Sequence, residues 1–235
     1  MRKLLEGICR FQNRVFERYQ KRFEKLARGQ SPIALFITCS DSRVLPDLFT
    51  QSGPGDLFVL RNAGNIVPPY ATSNGGEAPT IEYAVSALAV PDIIVCGHSG
   101  CGAMRALLDP PSARHLATLP AWLEHAEATC RMIRERQGAL SGQALLDCAV
   151  EENVLAQIEN LKTHPAVHDG LARGALGLHA WVYRFETGAV LNYSAERRKF
   201  VPIAEPASTS VRTAAVSKPH AATGDEQPAE IRARM

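Results

Sequence analysis

The sequence lacks any apolar run near the ~20 residues that a membrane-spanning helix needs, so we expect no membrane partner. It also lacks an excess of charge of one sign: 26 Lys and Arg residues against 24 Asp and Glu residues give a formal net charge of +2. This near balance provides no electrostatic footprint for nucleic acid, which we do not expect as a partner either. Residues 1–26 lack the continuous apolar segment and the cleavage site of a secretory signal, and we therefore expect a cytoplasmic protein.

Cysteine is present, with six residues in a chain of 235. In a chain of this length without a secretory signal, free thiols or metal ligands are expected rather than a disulfide framework. Cys9, Cys96, Cys130 and Cys148 are expected to be inert small hydrophobes. The length suits one α/β domain with a sizeable core.

Residues 1–28 form the first predicted element, a helix that ends near Gly29. Apolar residues three or four positions apart place one stripe on this helix, and charged residues surround it. The stripe comprises Leu4, Ile8, Phe11, Val15, Tyr19, Phe23 and Leu26. Such a stripe favours core or subunit packing over a membrane role.

Short apolar runs alternate with helical patterns along the next part of the chain. Strands are predicted at 33–38, 56–60, 92–96, 176–185 and 189–193, and helices at 80–88, 114–137 and 141–162. This alternation predicts an α/β fold with a mostly parallel central sheet flanked by helices. We expect one domain over residues 1–204. Residues 205–235 contain few large apolar side chains, and we expect a disordered tail there.

Potential metal ligands follow two of these predicted strands. Cys39 follows the first strand, and His98 and Cys101 follow the third. Ligands collect at the carboxyl ends of strands in parallel sheets, so the three side chains are expected to converge. Two thiolates and one imidazole suit zinc and leave a fourth tetrahedral position open for water, which zinc activates as a nucleophile.

Asp41 and Arg43 lie just beyond Cys39 and form the predicted catalytic pair. Asp41 could accept a hydrogen bond from the zinc-bound water while Arg43 holds Asp41 in place. Alternatively, Asp41 itself takes the fourth zinc position and closes the site. Both arrangements remain open at this point.

Several motifs resemble, in order and spacing, those of the β-class carbonic anhydrases. They are Cys39-Ser40-Asp41-Ser42-Arg43, Arg61-Asn62-Ala63-Gly64-Asn65, Ile81-Glu82-Tyr83-Ala84 and Gly97-His98-Ser99-x-Cys101-Gly102. The likeness runs from the N-terminal helix through His179-Ala180-Trp181-Val182-Tyr183, some four-fifths of the chain. The resemblance implies one Zn²⁺ per subunit on Cys39, His98 and Cys101, with Asp41 and Arg43 as the family's Asp–Arg pair.

The resemblance also implies a substrate pocket and an oligomer. Gln30 matches a glutamine that binds substrate or bicarbonate, and Phe58 and Tyr83 match residues that line the carbon dioxide pocket, often across a dimer interface. The N-terminal helix is expected to cross onto a partner subunit in a homo-oligomer, a dimer or a larger assembly such as a tetramer or octamer.

Some members of the family are inhibited by bicarbonate at a second site built from Trp, Arg and Tyr. This chain has Arg61 and Tyr183 at the matching positions but Phe36 in place of the Trp. Phe36 cannot donate a hydrogen bond. We therefore expect the open form, with water rather than Asp41 on zinc.

The expected function is reversible hydration of carbon dioxide to bicarbonate and a proton through zinc-bound hydroxide. Two alternatives stay open on the sequence alone. One is a carbonyl sulfide or carbon disulfide hydrolase with the same zinc site, which would differ only in its substrate tunnel. The other is a non-catalytic assembly component that docks through its tail.

Overall fold

The computed structural model describes residues 1–136 and 140–203. The predicted disordered tail at 205–235, the domain boundary at 204 and the last residue of the predicted helix 114–137 lie outside these ranges. None of the helices within the described ranges is both long enough and apolar enough to cross a bilayer.

The chain begins with two helices joined by a π-helical turn. They are α1 (Arg2–Arg10) and α2 (Phe16–Leu26), with the turn at Phe11–Val15. None of the residues in these three segments is fully buried. The predicted helix is thus present in two parts. The stripe residues Leu4, Ile8, Phe11 and Tyr19 are exposed within the single chain, while Val15, Phe23 and Leu26 are half-buried.

Six strands form one sheet in the order β2-β1-β3-β4-β5-β6. Their bounds are β1 (Ala34–Cys39), β2 (Leu57–Asn62), β3 (Asp92–His98), β4 (Gly177–Tyr183), β5 (Val190–Ser194) and β6 (Lys199–Pro202). The first four strands run parallel, and β5 and β6 are antiparallel to their neighbours. The predicted mostly parallel α/β architecture is confirmed.

Seven more helices complete the described fold. They are α3 (Pro46–Thr50), α4 (Glu77–Glu82), α5 (Gly102–Leu108), α6 (Leu119–Leu123), α7 (Glu127–Arg136), α8 (Gly142–Lys162) and α9 (Pro165–Ala172). A π-helical turn, Tyr83–Ala87, extends α4, and 3₁₀ turns precede and follow α6.

The two faces of the sheet are covered unequally. Side chains alternate between faces along a strand, so Leu35 and Ile37 contribute to one cluster and Phe36 to the other. The larger cluster contains most of the buried residues and receives α8 through Val150 and Val154. The smaller cluster is centred on Phe36 and is flanked by only a few half-buried side chains.

The structure corrects several predicted boundaries. The first strand begins at Ala34, because Ile33 is 62% exposed and precedes the ladder. The predicted helix 114–137 is divided, and its first α-helical residue is Leu119. Pro120 accounts for this start, since proline lacks an amide N–H and is tolerated in the first turn of a helix. Strand β6 was not predicted.

Candidate functional site

The ends of β1 and β3 bring the three predicted metal ligands together. Cys39 is the last residue of β1 and His98 is the last residue of β3, and these strands are parallel neighbours. Cys101 precedes the first residue of α5 in an extended conformation. Gly100 has a φ of +65°, a left-handed conformation that glycine adopts easily, and it turns the chain between His98 and Cys101.

The donor atoms of Cys39, His98 and Cys101 all lie within 4.8 Å of one another, and all three residues are buried. The Nδ1 atom of His98 lies 2.9 Å from the backbone carbonyl of Ser99. A carbonyl can only accept, so Nδ1 carries the proton and Nε2 presents a lone pair. This Nε2 atom is buried and has no hydrogen-bond partner among the residues that the structure describes.

The interaction between the Cys39 and Cys101 thiols favours the thiolate form of Cys39. A hydrogen bond from the Cys101 thiol, with smaller contributions from His98 and the Gly64 amide, lowers the pKa of Cys39 to about 4. The same hydrogen bond, together with burial, raises the pKa of Cys101. One thiolate is therefore favoured before any metal arrives, and thiolate is the form that ligates.

This donor set fits a metal ion. A buried, partnerless imidazole nitrogen beside two thiols is costly unless something coordinates it. Two sulfur ligands and one nitrogen ligand suit zinc, and three protein ligands leave one tetrahedral position open. Among the described residues, these three form the one group with this arrangement of donors.

Asp41 and Arg43 form a two-point ion pair next to this group. Arg43 donates from Nε to Oδ1 of Asp41 at 2.9 Å and from Nη2 to Oδ2 at 2.7 Å. The Arg43 amide adds a third hydrogen bond to Oδ1 at 3.0 Å. These contacts, led by the guanidinium, hold the pKa of Asp41 far below its usual range. The Oδ2 atom of Asp41 lies 3.9 Å from Nε2 of His98, so the anion faces the ligand group.

Arg61 supports the backbone of the site. Its guanidinium donates to the carbonyl of Cys39 at 3.0 and 3.1 Å and to the carbonyl of Asp41 at 2.8 Å. The resemblance assigns Arg61 to a bicarbonate site. Its bonds in this chain span both ends of the segment 39–41, so it positions a ligand and the acidic residue together.

Gln30, Phe58 and Tyr83 do not lie with the metal-ligand group in a single chain. Phe58 pairs in register with Leu35 near the start of β1, and its ring lies 6.0 Å from that of Tyr83. Gln30 precedes β1 and lines a cavity of about 660 Å³. With a rise of about 3.3 Å per residue, the six residues of β1 separate its ends by roughly 17 Å. These three residues therefore lie towards the opposite end of the strand from Cys39.

Two contacting residues were not predicted. Ser99 holds the Nδ1 proton of His98, and Phe185 packs against the rings of His98 and Tyr183. A sequence signal for Phe185 did exist. It follows β4, whose carboxyl end lies beside that of β3, so it belongs to the same set of strand ends as Cys39 and His98.

The family model described as carbonic anhydrase matches residues 34–190. A carbonic anhydrase from Synechocystis is 50% identical over 202 residues, which is 86% of this chain and 74% of that protein. One from Pseudomonas aeruginosa is 48% identical over 205 residues, which is 87% of this chain and 93% of that protein.

Solved structures agree with these sequence matches. The structure of the β-carbonic anhydrase CcaA superposes with a TM-score of 0.85 at 50% identity and covers 86% of this chain and 99% of that one. A Coccomyxa β-carbonic anhydrase in complex with acetazolamide has a TM-score of 0.71 at 34% identity, over 80% of this chain and 83% of that one. One of two tetrameric β-carbonic anhydrases from Sordaria macrospora has a TM-score of 0.67 at 31% identity, over 81% of this chain and 92% of that one.

Proposed function

This chain belongs to the β-carbonic anhydrase family, and we propose that it catalyses the reversible hydration of carbon dioxide to bicarbonate and a proton. The observation that carries the proposal is the buried Cys39–His98–Cys101 group with the Asp41–Arg43 pair beside it. Carbon dioxide is a small electrophile, so its hydration needs an activated water and an acceptor that orients it.

We assign Cys39, His98 and Cys101 as the ligands of one zinc ion per subunit. Zinc supplies a Lewis acid that lowers the pKa of a water ligand towards neutrality. Two of these ligands are already in the state that binds a metal ion. The pKa of Cys39 is lowered to about 4, and the Ser99 carbonyl keeps His98 in the tautomer that ligates through Nε2.

Asp41 is the acceptor for the attacking water in this mechanism. A carboxylate can only accept hydrogen bonds, so it orients the O–H of the water and leaves an oxygen lone pair directed at carbon dioxide. Because Arg43 keeps Asp41 ionised, this acceptor is available across the neutral pH range. Both oxygens of Asp41 bond to Arg43, which supports the open form over one in which Asp41 is the fourth ligand.

We further propose that a second copy of the chain completes the site. Gln30, Phe58 and Tyr83 would then line the carbon dioxide pocket of a neighbouring subunit, since they lie away from the metal ligands of their own chain. Exposure of half of Tyr83 in the single chain supports this arrangement. The tetrameric relatives from Sordaria macrospora also support a homo-oligomer.

We propose the cytoplasm as the site of action. The support is the chemistry of the ligands: two buried thiols with donor atoms less than 4.8 Å apart bind metal only while they remain reduced, and the cytoplasm keeps thiols reduced.

The decisive experiment is stopped-flow carbon dioxide hydration by the zinc-loaded protein between pH 6.5 and 9. We expect turnover at or above the ~10³ per second that marks the upper range of typical enzymes, already present near pH 7. Activity that begins only above about pH 8 would contradict the open form. A fully zinc-loaded protein without hydration at any pH would overturn the proposed reaction, and carbonyl sulfide and carbon disulfide would be assayed next.

Cys101→Ala tests the ligand assignment. We expect loss of zinc and of hydration together, because two protein ligands seldom retain zinc. Cys96→Ala is the matched control: Cys96 is equally buried, but burial raises its pKa to about 12, so it stays a thiol. Zinc content by mass spectrometry should be full in the control, and full zinc in Cys101→Ala would remove Cys101 from the ligand set.

A further inference from the structure

Phe185 occupies a defined place between the metal-ligand group and the ion pair. It lies two residues beyond the end of β4, and its backbone amide donates to Oγ of Ser99 at 2.9 Å. The Ser99 amide in turn donates to the carbonyl of Tyr183 at 2.9 Å. These two bonds attach the segment that carries Phe185 to the residue that follows His98.

The Phe185 ring contacts both parts of the site. The guanidinium carbon of Arg43 lies over the ring at 4.5 Å from its centroid. The ring centroid also lies 5.1 Å from that of the His98 imidazole, with 42° between the planes. Tyr183 meets the ring edge-on at 5.3 Å and limits its rotation. One aromatic side chain thus bridges a proposed zinc ligand and the arginine of the catalytic pair.

Arg43 has few other restraints. Its side chain is 57% exposed, and within the described ranges it makes one long hydrogen bond besides those to Asp41, from Nη2 to the Gly100 carbonyl at 3.4 Å. A long, exposed arginine samples many rotamers unless something holds it. A two-point fork on a carboxylate requires the guanidinium plane to keep one orientation, and stacking over an aromatic face supplies that restraint.

We infer that Phe185 is a positioning residue for the Asp41–Arg43 pair, and that its ring holds the Arg43 guanidinium in the two-point orientation and couples it to His98. The inference rests on the proposed function, since it assigns Phe185 a part in the hydration of carbon dioxide. In this role Phe185 acts on the reaction through its contact with Arg43.

The test is a double-mutant cycle on the zinc-loaded protein with Phe185→Leu, Arg43→Gln and the double variant. Leucine keeps apolar bulk but has no aromatic face, so kcat for hydration should fall about threefold to tenfold, the range of a cation–π contact. In the Arg43→Gln background, Phe185→Leu should not lower kcat any further. Phe185→Tyr keeps the ring and should restore kcat to within twofold of the wild type.

The matched control is Phe200→Leu. Phe200 is another half-buried phenylalanine that packs on an aromatic neighbour, Tyr193, at 5.4 Å in the β5–β6 hairpin. Its substitution should leave kcat unchanged, and zinc content should be full in every variant. An equal loss from Phe185→Leu with and without Arg43 would overturn the inference, because the effect would then not pass through the arginine.

Crystal structures of the wild type and the Phe185→Leu protein give a readout that does not depend on activity. We expect Arg43 to keep both hydrogen bonds to Asp41 in the wild type and to adopt several conformers in the variant. An unchanged, fully ordered Arg43 in Phe185→Leu would overturn the inference. A wild-type protein that shows the ordered fork but hydrates no carbon dioxide would instead refute the proposed function.

Discussion

At the scale of single residues, the charge and orientation of the Asp41 carboxylate are set by the groups that surround it. It accepts three hydrogen bonds from Arg43, and the Asp41 carbonyl receives a fourth from Arg61. The hydrogen bond to Asp41 raises the pKa of Arg43, so this guanidinium keeps its charge across the physiological pH range. Because the pKa of Asp41 is held far below its usual range, the carboxylate is ionised near neutral pH and held by Arg43, which is the state that a hydrogen-bond acceptor for water requires.

Arg43→Gln should keep zinc but lower hydration about 10- to 100-fold at pH 7, the usual cost of removing a partner that orients a residue at a metal site. Glutamine removes the charge and the fork and frees Asp41 to turn towards the metal position. Stopped-flow hydration and zinc content are the measurements. Arg131→Gln, which removes the same charge from the exposed side of α7, is the control and should match the wild type. Wild-type hydration by Arg43→Gln would remove the pair from the mechanism.

At the scale of secondary-structure elements, α8 anchors the loop that reaches the metal-ligand group. Asn153 donates from Nδ2 to the carbonyl of Gly64 at 2.9 Å, and Oε1 of Gln157 accepts from the amide of Val67 at 2.9 Å. The Gly64 amide then donates to the sulfur of Cys39 at 3.4 Å. A helix on one face of the sheet thus determines the position of a donor at the strand end.

Close packing of α8 on β3 leads to a stability prediction at Gly97. A Cβ atom at this position would lie 2.8 Å from Cγ2 of Val154 and 3.0 Å from Cγ1 of Val150, so Gly97→Ala forces α8 away from the strand. We expect the free energy of unfolding to fall by about 1–3 kcal/mol, the usual cost of overpacking a core. Urea unfolding is the measurement.

Gly7→Ala is the control for Gly97→Ala. Gly7 lies in α1 with nothing within 4 Å of the added Cβ, and alanine is the better helix former, so stability should not fall. Equal unfolding free energies for the wild type and Gly97→Ala would refute the packing argument.

His164, at the start of α9, introduces a pH dependence of stability. It is buried and bonds through Nε2 to the carbonyl of Pro68 at 3.0 Å, and burial lowers its pKa below the ordinary histidine value of about 6.5. The unfolded chain therefore binds the proton more readily than the folded one. The stability that this residue contributes is complete above pH 6.5 and is lost as the pH falls from there through the folded-state pKa.

The check is the free energy of unfolding at pH 7.5 and pH 5.5 for the wild type and for His164→Gln. Glutamine does not titrate here, so the loss of stability between the two pH values should be smaller in the variant. An identical loss in both proteins would show that other groups cause the acid sensitivity.

At the scale of the whole molecule, two features are incomplete in one chain. The first part of the apolar stripe, in α1 and at the start of the turn after it, is uncovered, with Leu4 64%, Ile8 53% and Phe11 41% exposed. The proposed pocket residues Phe58 and Tyr83 lie away from the metal ligands of their own chain. Apolar surface left exposed along a helix indicates a partner. A second copy of the chain that covers the stripe and contributes the pocket residues accounts for both features.

Phe11→Glu should therefore reduce the oligomer to a smaller species and lower hydration with it. The charge cannot be buried against a partner without a large desolvation cost. Light scattering after size-exclusion chromatography measures the mass, and stopped flow measures the rate. Gln12→Glu adds the same charge to the neighbouring exposed residue and should retain the wild-type mass. An unchanged mass for Phe11→Glu would contradict the proposed use of the stripe.

The sequence by itself determined the family, the α/β class with a mostly parallel sheet, and the side chains placed at strand ends. This was possible because these properties depend on local patterns. Apolar runs such as 33–38 predict strands from their length and composition, and polar residues directly after a buried strand must lie at its carboxyl end. The roles assigned to Cys39, Asp41 and the pocket residues remain predictions.

Only the tertiary structure decided what meets at that edge from distant parts of the chain. Phe185 lies 142 positions from Arg43 in the sequence, and Asn153 donates a hydrogen bond to Gly64 across 89 positions. Neither contact can be predicted from the local periodicity of the sequence. The start of the predicted helix 114–137 was misplaced because of proline chemistry, and the strand β6 was missed because it depends on pairing with β5. Contacts between residues far apart in the sequence depend on how the helices and strands pack. That packing depends on all the apolar faces that must be buried together.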